Sequence, residues 1–449
     1  MERNYYPLTR SQDVVNLQGK YSPFKRLYNI LFSISVGRKV EWDIMTKAIN
    51  LVVERNDCLR LCFEKKDKQL MQYIQDKVVI TDIPMYEFKS EEEFTAFIDK
   101  YRKPGIDFKH GRMIEPNYIY LADKKEYMVF FKVCHLAVDT YGIANLANDV
   151  LCCYDAVESG KELPPAPSQF EQFIIRDIKI KNNKEQLEKD CKFFQDFFKS
   201  RPFPRYTGIH SEDNPIWQKQ LKKGRKAIKN FMLKSDTVAD AKKISADLCK
   251  EVERYCTEHR QSMASFMFYV MNMVSSDMHK RVPSYNLNLC NCRGTVSERK
   301  TLGTMVQSLG VLCQFDWDKS FAENFDVFSA DENQLLRHIG YPDLEFEDII
   351  RKIYNFGVFE YMEFCTFSFV PMSKINGYDF QLYSNGKFPL PAYIMMLYDT
   401  ETGEATMLYD CQKILTTSQD IDFFHKKFVS FISAIVKSPS ASLSEITKN

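Results

Sequence analysis

The sequence predicts a mixed α/β (α+β) protein with two lobes of comparable size. Strand-like and helix-like segments alternate in both halves of the 449-residue chain, which favours this class over an all-helical or all-β fold. Residues 160–168 contain three prolines and break regular structure. We therefore place a boundary nearby and predict an N-terminal lobe of residues 1–175 and a C-terminal lobe of residues 176–449. Hydrophobic residues make up 45% of the chain, enough for a large core in each lobe.

The elements of the N-terminal lobe follow from apolar periodicity and from turn residues. In chain order they are a short helix over 13–17 capped by Thr9, a strand over 28–36, a helix over 42–53, a strand over 59–63, a helix over 94–101, and a hairpin of 117–121 with 127–133.

The same patterns place the elements of the C-terminal lobe. They are helices over 241–255 and 262–278, strands over 285–290, 310–315 and 361–370, a hairpin of 391–398 with 406–409, and a closing helix over 420–436. A charged helical segment over 170–199 precedes them and is expected to bridge the two lobes. Its lysine-rich face is interpreted as solvated surface and not as a nucleic-acid site.

Charge and composition exclude several classes of protein. Sixty-one basic and sixty acidic residues give a net charge of +1, so nothing in the overall charge favours nucleic acid or an anionic membrane as a partner. The chain start has no apolar signal-peptide core, and no long uncharged apolar stretch occurs, so we expect a soluble, cytoplasmic protein. The thirteen cysteines lack the Cys-x-x-Cys spacing of a zinc site, and we expect reduced thiols and no metal.

The loop after the strand over 127–133 contains the main candidate for chemistry. It carries His135 and Asp139, and a helical pattern begins at Thr140. A histidine at such a junction is exposed and rigid, and its near-neutral pKa allows it to exchange a proton at physiological pH. A histidine followed four residues later by aspartate is also typical of a hydrogen-bonded pair that only fixes a turn. The local pattern leaves both interpretations open.

Several separated stretches resemble, in the same order, the condensation domains of nonribosomal peptide synthetases. This family belongs to the superfamily that includes chloramphenicol acetyltransferase and the plant HxxxD acyltransferases. The similarity covers nearly the whole chain. It rests on Pro7–Gln12 (first motif), Ala48–Arg60 (ALxxLVxRHExLR), His135-x-x-x-Asp139 (HHxxxDG), Cys292–Gly294 (GR), Gly303–Leu309 (VGxFVNTL) and His338-x-x-x-Pro342 (a later helix-end pattern).

The resemblance implies a fold and a reaction class. The fold would be two chloramphenicol-acetyltransferase-like subdomains in a V, with a central tunnel and the motif histidine at its middle. The activity would be acyl transfer from a thioester, on a carrier protein's phosphopantetheine arm or on coenzyme A, to an amine or alcohol. No metal and no tightly bound cofactor are implied.

The resemblance also implies roles for four residues. His135 would act as general base or orient the nucleophile, because an activated thioester requires little more than positioning and the removal of one proton. Asp139 would be structural and would form an ion pair with Arg293. Ser368 is the candidate oxyanion donor, with a plain strand serine as the alternative.

Two residues depart from the family pattern in the histidine loop. Cys134 stands in place of the first histidine, and Thr140 stands in place of glycine. If the glycine is needed for a positive φ or for passage of a substrate arm, a β-branched residue would strain the loop or narrow the tunnel.

The leading hypothesis is a free-standing condensation-type acyltransferase that forms an amide. No adenylation or carrier segment is recognisable within the 449 residues, so a carrier protein is expected to act in trans, with a small-molecule amine or alcohol as acceptor. Two alternatives remain open. One is a coenzyme-A-dependent O-acyltransferase that makes an ester, and the other is a non-catalytic, condensation-like binding protein.

Overall fold

The computed structural model describes residues 3–229, 231–372 and 378–448 and confirms the predicted mixed α/β class. The strands, in chain order, are β1 (Tyr6–Pro7), β2 (Asn29–Ser35), β3 (Leu61–Lys66), β4 (Gln69–Ile74), β5 (Met85–Phe88), β6 (Ile114–Leu121), β7 (Glu126–Cys134), β8 (Ile228–Lys229), β9 (Thr237–Ile244), β10 (Ser284–Cys290), β11 (Gln307–Cys313), β12 (Glu360–Tyr361), β13 (Thr366–Met372), β14 (Asp379–Tyr383), β15 (Ala392–Asp399) and β16 (Ala405–Gln412). The α-helices are α1 (Arg10–Tyr21), α2 (Trp42–Arg55), α3 (Glu91–Tyr101), α4 (Thr140–Ser159), α5 (Phe170–Lys181), α6 (Lys184–Lys199), α7 (Pro215–Leu221), α8 (Ala246–Glu258), α9 (Met263–Met278), α10 (Val296–Lys300), α11 (Phe321–Leu336), α12 (Asp343–Tyr354), α13 (Ser418–Lys437) and α14 (Leu443–Ile446).

The chain forms two compact units. The first comprises Met1–Asn182, Asn291–Val306 and Ser373–Asn385, and the second comprises Asn183–Cys290, Gln307–Met372 and Gly386–Asn449. The helical segment predicted over 170–199 consists of two helices, α5 in the first unit and α6 in the second. The predicted lobes, residues 1–175 and 176–449, remain a prediction. The two units first separate at Asn182 and Asn183, and two later segments return to the first unit.

The first unit is built on a five-stranded sheet in the order β14-β2-β7-β6-β5, with a second sheet of β1, β4 and β3. Strand β7 is antiparallel to both of its neighbours, β2 and β6. Its run of β-branched and aromatic residues suits a buried strand, and its Phe131 ring stacks on Phe32 with centroids 4.8 Å apart. Because β7 is hydrogen-bonded on both edges, its C-terminal end is held in place, and so is the start of the loop that follows.

Helix α4 begins directly after that loop and covers the core of the first unit. Its apolar residues recur at helical spacing, and those facing the core are buried. The helix ends at Gly160, which has the left-handed φ of 65° that a C-terminal cap favours. The loop between β7 and α4 is therefore held between a central strand and a well-packed helix.

The second unit has a six-stranded sheet in the order β11-β10-β13-β15-β16-β9 and a two-stranded sheet of β12 and β8. Strand β13 runs parallel to both of its neighbours. Helix α9, apolar along most of its surface, is buried in the separate core of this unit. Within the described parts of the chain, no helix is both long enough and apolar enough to span a membrane.

The prediction of a helix over 241–255 is wrong at the N-terminal end. Residues Thr237–Ile244 form β9, and α8 begins at Ala246 with Ser245 as its N-cap. Exposed and more buried residues alternate along β9 with the period of two that a half-buried strand shows. Its alanine and lysine residues have helix propensity, and pairing with β16 overrides that preference.

Candidate active site

The His135 loop is anchored through its main chain. The His135 N–H group donates to the Tyr28 carbonyl at 2.7 Å, and the N–H groups of Ala137 and Val138 donate to the Cys134 carbonyl at 2.9 and 3.1 Å. Asp139 donates its N–H to the Gly303 carbonyl at 3.3 Å. These bonds hold four N–H groups of the turn and fix the place of His135 at the end of β7.

The imidazole of His135 is only partly exposed. Its Nδ1 atom is buried and has no hydrogen-bond partner in another described residue. Burial lowers the pKa of His135 from the ordinary value of 6.5, while an interaction with its own main chain and the negative charge of Asp139 act in the opposite direction. The lowered pKa favours the neutral ring, and Nε2 is the nitrogen that is left to meet a substrate.

Asp139 and Arg293 form a bidentate ion pair in the interior of the first unit. Arg293 Nη1 donates to Asp139 Oδ2 and Nη2 donates to Oδ1, both at 3.0 Å. The two side chains are 1% and 0% exposed. The structure thus contains the ion pair that the family resemblance implied, with the geometry expected of arginine and a carboxylate.

The carboxylate of Asp139 also accepts hydrogen bonds from three main-chain N–H groups. Oδ1 accepts from Gly142 at 2.7 Å, which makes Asp139 the N-cap of α4. Oδ2 accepts from Met305 at 2.9 Å and from Val306 at 3.2 Å. Because both oxygens are occupied by donors in the protein interior, this arrangement supports a structural role for Asp139 and not that of a proton acceptor.

Arg293 is held in turn by carbonyl groups. Nη1 donates to the Asn291 carbonyl at 3.2 Å, and Nη2 donates to the Gly303 carbonyl at 3.0 Å. The preceding residue, Cys292, has a left-handed φ of 51°, which turns the chain so that the guanidinium faces Asp139. The ring of Tyr141 lies 5.0 Å from the guanidinium carbon.

Residues 303–306, which we call the clamp segment, contact both ends of the histidine loop. Gly303 and Met305 bond to Asp139 as described, and the Thr304 hydroxyl donates to the His135 carbonyl at 2.6 Å. Gly303 has a φ of 155°, and an added Cβ there would collide with the Phe170 ring, so glycine is required. From the other side, Gln12 Nε2 donates to the Leu136 carbonyl at 2.8 Å.

The sequence did not single out Thr304 or Gln12 as site residues. Both stand in stretches that carry the family resemblance, and that was the one signal available. Their partners are main-chain carbonyl groups, which leave no pattern in the sequence.

The two departures from the family pattern leave the loop intact. The Cys134 side chain is fully buried, and burial raises the pKa of its thiol to about 12, so it serves neither as base nor as nucleophile. Thr140 is the first residue of α4 and is absent from the residues with positive φ in the described chain. The backbone strain considered for Thr140 does not occur.

Ser368 belongs to a different unit of the chain from these residues. His135, Asp139 and Arg293 belong to the first unit, and Ser368 belongs to the second. It sits in β13, and its hydroxyl oxygen lies 3.0 Å from the Tyr393 hydroxyl on β15. Its role as an oxyanion donor remains a prediction. Among the residues described, no cluster of three or more histidine, cysteine or acidic side chains is arranged to hold a metal ion.

Residues 2–447 match the sequence model of a family described as Condensation domain. A plipastatin synthase protein of Bacillus subtilis (strain 168) is 22% identical over 469 residues, which cover 99% of this chain and 17% of that protein. Tyrocidine synthase 2 of Brevibacillus parabrevis is 24% identical over 171 residues, which cover 38% of this chain and 4% of that protein. The chain therefore spans only a small part of the length of these synthetases.

Solved condensation domains share the fold. The starter condensation domain of rhizomide synthetase RzmA, a mutant in complex with C8-CoA, gives a TM-score of 0.80 at 14% identity, covering 98% of this chain and 97% of that one. The first condensation domain of the calcium-dependent antibiotic synthetase, in complex with a substrate analogue, gives 0.78 at 14% identity, covering 98% of each chain.

Proposed function

The chain belongs to the condensation-domain family, and from that premise we propose that it joins an acyl thioester to an amine and forms an amide in nonribosomal peptide or related secondary-metabolite biosynthesis. Condensation domains are acyltransferases that form amide bonds. The observation that carries the proposal for this chain is the placement of His135 at the strand-to-helix junction, with Nδ1 buried and the ring partly exposed. Burial lowers the pKa of His135, which favours the neutral imidazole.

The proposed reaction needs one proton acceptor. The amine nitrogen attacks the thioester carbonyl carbon while His135 Nε2 accepts the proton that the nitrogen loses. The tetrahedral intermediate then collapses, the carbon–sulfur bond breaks, and the leaving thiolate takes the proton from the imidazolium. The products are an amide and a free thiol, and His135 returns to its neutral form.

We assign the other residues supporting roles. Asp139 and Arg293 keep the histidine loop in place and do not exchange protons with the substrate. Ser368 is proposed as the hydrogen-bond donor to the oxyanion of the intermediate.

The proposed donor is an acyl group on the phosphopantetheine arm of a carrier protein or on coenzyme A, with no tightly bound cofactor. The family match occupies residues 2–447, and we propose a carrier protein acting in trans as the partner that presents the acyl donor. A coenzyme A donor is supported by the related rhizomide synthetase domain, which was solved with C8-CoA. The acceptor is proposed to be a small-molecule amine.

The test is turnover by the purified protein with one acyl group offered on coenzyme A and on a carrier protein, against panels of amines and alcohols. We expect an amide product, detected by mass spectrometry, and its loss in His135→Ala. His110→Ala is the matched control, because the His110 side chain is 80% exposed and pairs with Asp107. Undiminished turnover in His135→Ala would disprove the assignment of the base. Ester products would favour the O-acyltransferase alternative, and carrier binding without turnover of any donor would favour the binding protein.

A further inference from the structure

We propose that Thr304 and Gln12 are positioning residues that set the orientation of His135 by holding two consecutive carbonyl groups of its loop. This inference rests on the proposed function, because it concerns the residue that we assign as base. Neither side chain is proposed to touch the substrate.

The main chain of His135 is anchored on both sides. Its N–H group donates to the Tyr28 carbonyl at 2.7 Å, and its own carbonyl accepts from the Thr304 hydroxyl at 2.6 Å. With both peptide groups fixed, the ring keeps freedom only about its side-chain torsions. Loss of the hydroxyl would remove the donor to the His135 carbonyl and loosen the peptide plane that follows His135.

Gln12 is fully buried. Its Oε1 atom accepts from the N–H group of Thr9 at 2.9 Å and from Gln72 Nε2 at 2.7 Å. This network determines which end of the amide is oxygen, so Nε2 must face the Leu136 carbonyl, to which it donates at 2.8 Å. Gln12 is therefore a fixed donor and not an adaptable one.

The side chains of the loop itself offer no replacement for these donors. Leu136, Ala137 and Val138 are apolar and fully buried. A buried carbonyl that loses its donor carries a penalty until the backbone moves to find another. At a catalytic loop, such a movement misplaces the base, and a displacement of about 1 Å can cost about a hundredfold in rate.

The kinetic test compares Thr304→Val, which removes only the hydroxyl, with Thr304→Ser, which keeps it. We expect kcat to fall by about tenfold to a hundredfold in Thr304→Val, with KM for both substrates unchanged, and to recover in Thr304→Ser. Gln12→Met is the second variant and should also lower kcat, and it keeps the inference testable if Thr304→Val fails to fold. Thr207→Val is the matched control, since Thr207 is 1% exposed and its hydroxyl has no partner among the described residues.

A second readout does not depend on turnover. Nitrogen-15 NMR of labelled histidine reports the tautomer and the environment of each ring, and the His135 signal is the one that disappears in His135→Gln. We expect the Nδ1 and Nε2 shifts of His135 to change in Thr304→Val and to match the wild type in Thr304→Ser. Identical His135 shifts in folded Thr304→Val, or kcat equal to the wild type, would overturn the inference. An inactive wild type with changed shifts would instead contradict only the proposed function.

Discussion

The ion pair between Asp139 and Arg293 gives the sharpest prediction about stability. Replacing Asp139 with alanine leaves the guanidinium of Arg293 charged and buried without a counter-ion. Breaking a buried pair from one side costs about 3 to 5 kcal/mol. The same substitution removes the N-cap of α4, at a cost of about 1 kcal/mol. Against a total stability of about 5 to 15 kcal/mol, Asp139→Ala should lose a large share of the folding free energy.

A second substitution separates the two contributions. Asparagine caps helices about as well as aspartate, so Asp139→Asn keeps the bond to the Gly142 N–H and loses the charge. We expect Asp139→Asn to be more stable than Asp139→Ala by about 1 kcal/mol. The double variant Asp139→Asn, Arg293→Met removes both charges and should recover part of the loss.

Urea unfolding followed by circular dichroism measures these differences, and hydrogen exchange in α4 locates them. Lys189→Ala is the control, because its ion pair with Glu185 joins side chains that are 64% and 80% exposed and should contribute nothing measurable. An Asp139→Ala protein that unfolds at the wild-type urea concentration would refute the energetic argument. If it kept that stability and lost turnover, the structural role of Asp139 would be refuted as well.

Two further predictions concern titration in the loop. Because burial lowers the pKa of His135 below 6.5, protonation of His135 should leave turnover unchanged down to about pH 6.5 and reduce it only at lower pH. The pH profile of kcat, measured at a saturating concentration of the unprotonated amine, checks this, and an acid limb of kcat above pH 7 would contradict it. The unfolded chain binds this proton more readily than the folded one, so the stability contributed by neutral His135 should be lost as the pH falls through that same range. Burial raises the pKa of Cys134 to about 12. Iodoacetamide at pH 8 should therefore leave Cys134 unmodified while the half-buried Cys152 reacts. Mass spectrometry measures the labelling of both cysteines, and equal rates would contradict the buried environment of Cys134.

Elements with a clear apolar period could be predicted from the sequence. The helix predicted over 420–436 is α13, Ser418–Lys437, and the hairpin of 117–121 with 127–133 is β6 with β7. Strand β14 was missed, because it is an edge strand defined by its pairing with β2, as in Phe380 opposite Ile34. Such a strand is stabilised by a partner more than 300 residues away in sequence, and that pairing cannot be seen in the short local pattern of five residues.

In the candidate site, too, some features could be predicted from the local sequence and others could not. The loop with His135 could be found from local pattern, because a strand and a helix with clear periods enclose it. The pairing of Asp139 with Arg293 came only through the family resemblance, since the two residues are 154 positions apart. The bonds of Gln12 and Thr304 to loop carbonyls could not be predicted at all, because any residue at His135 or Leu136 would offer the same acceptor.

The loop is held mainly by residues that are distant in sequence, which explains why Cys134 and Thr140 are compatible with a well-formed loop. Cys134 faces the core, where a small apolar side chain packs without strain, and Thr140 occupies a helical position that no left-handed backbone restricts. The loop is held instead by groups from distant stretches of chain, namely the Gln12 amide, the Arg293 guanidinium and the clamp segment. A substitution at Cys134 that keeps a small apolar side chain, or at Thr140 that keeps the helical backbone, therefore changes the loop little. A substitution in the clamp segment, which is far away in sequence, directly changes the position of His135.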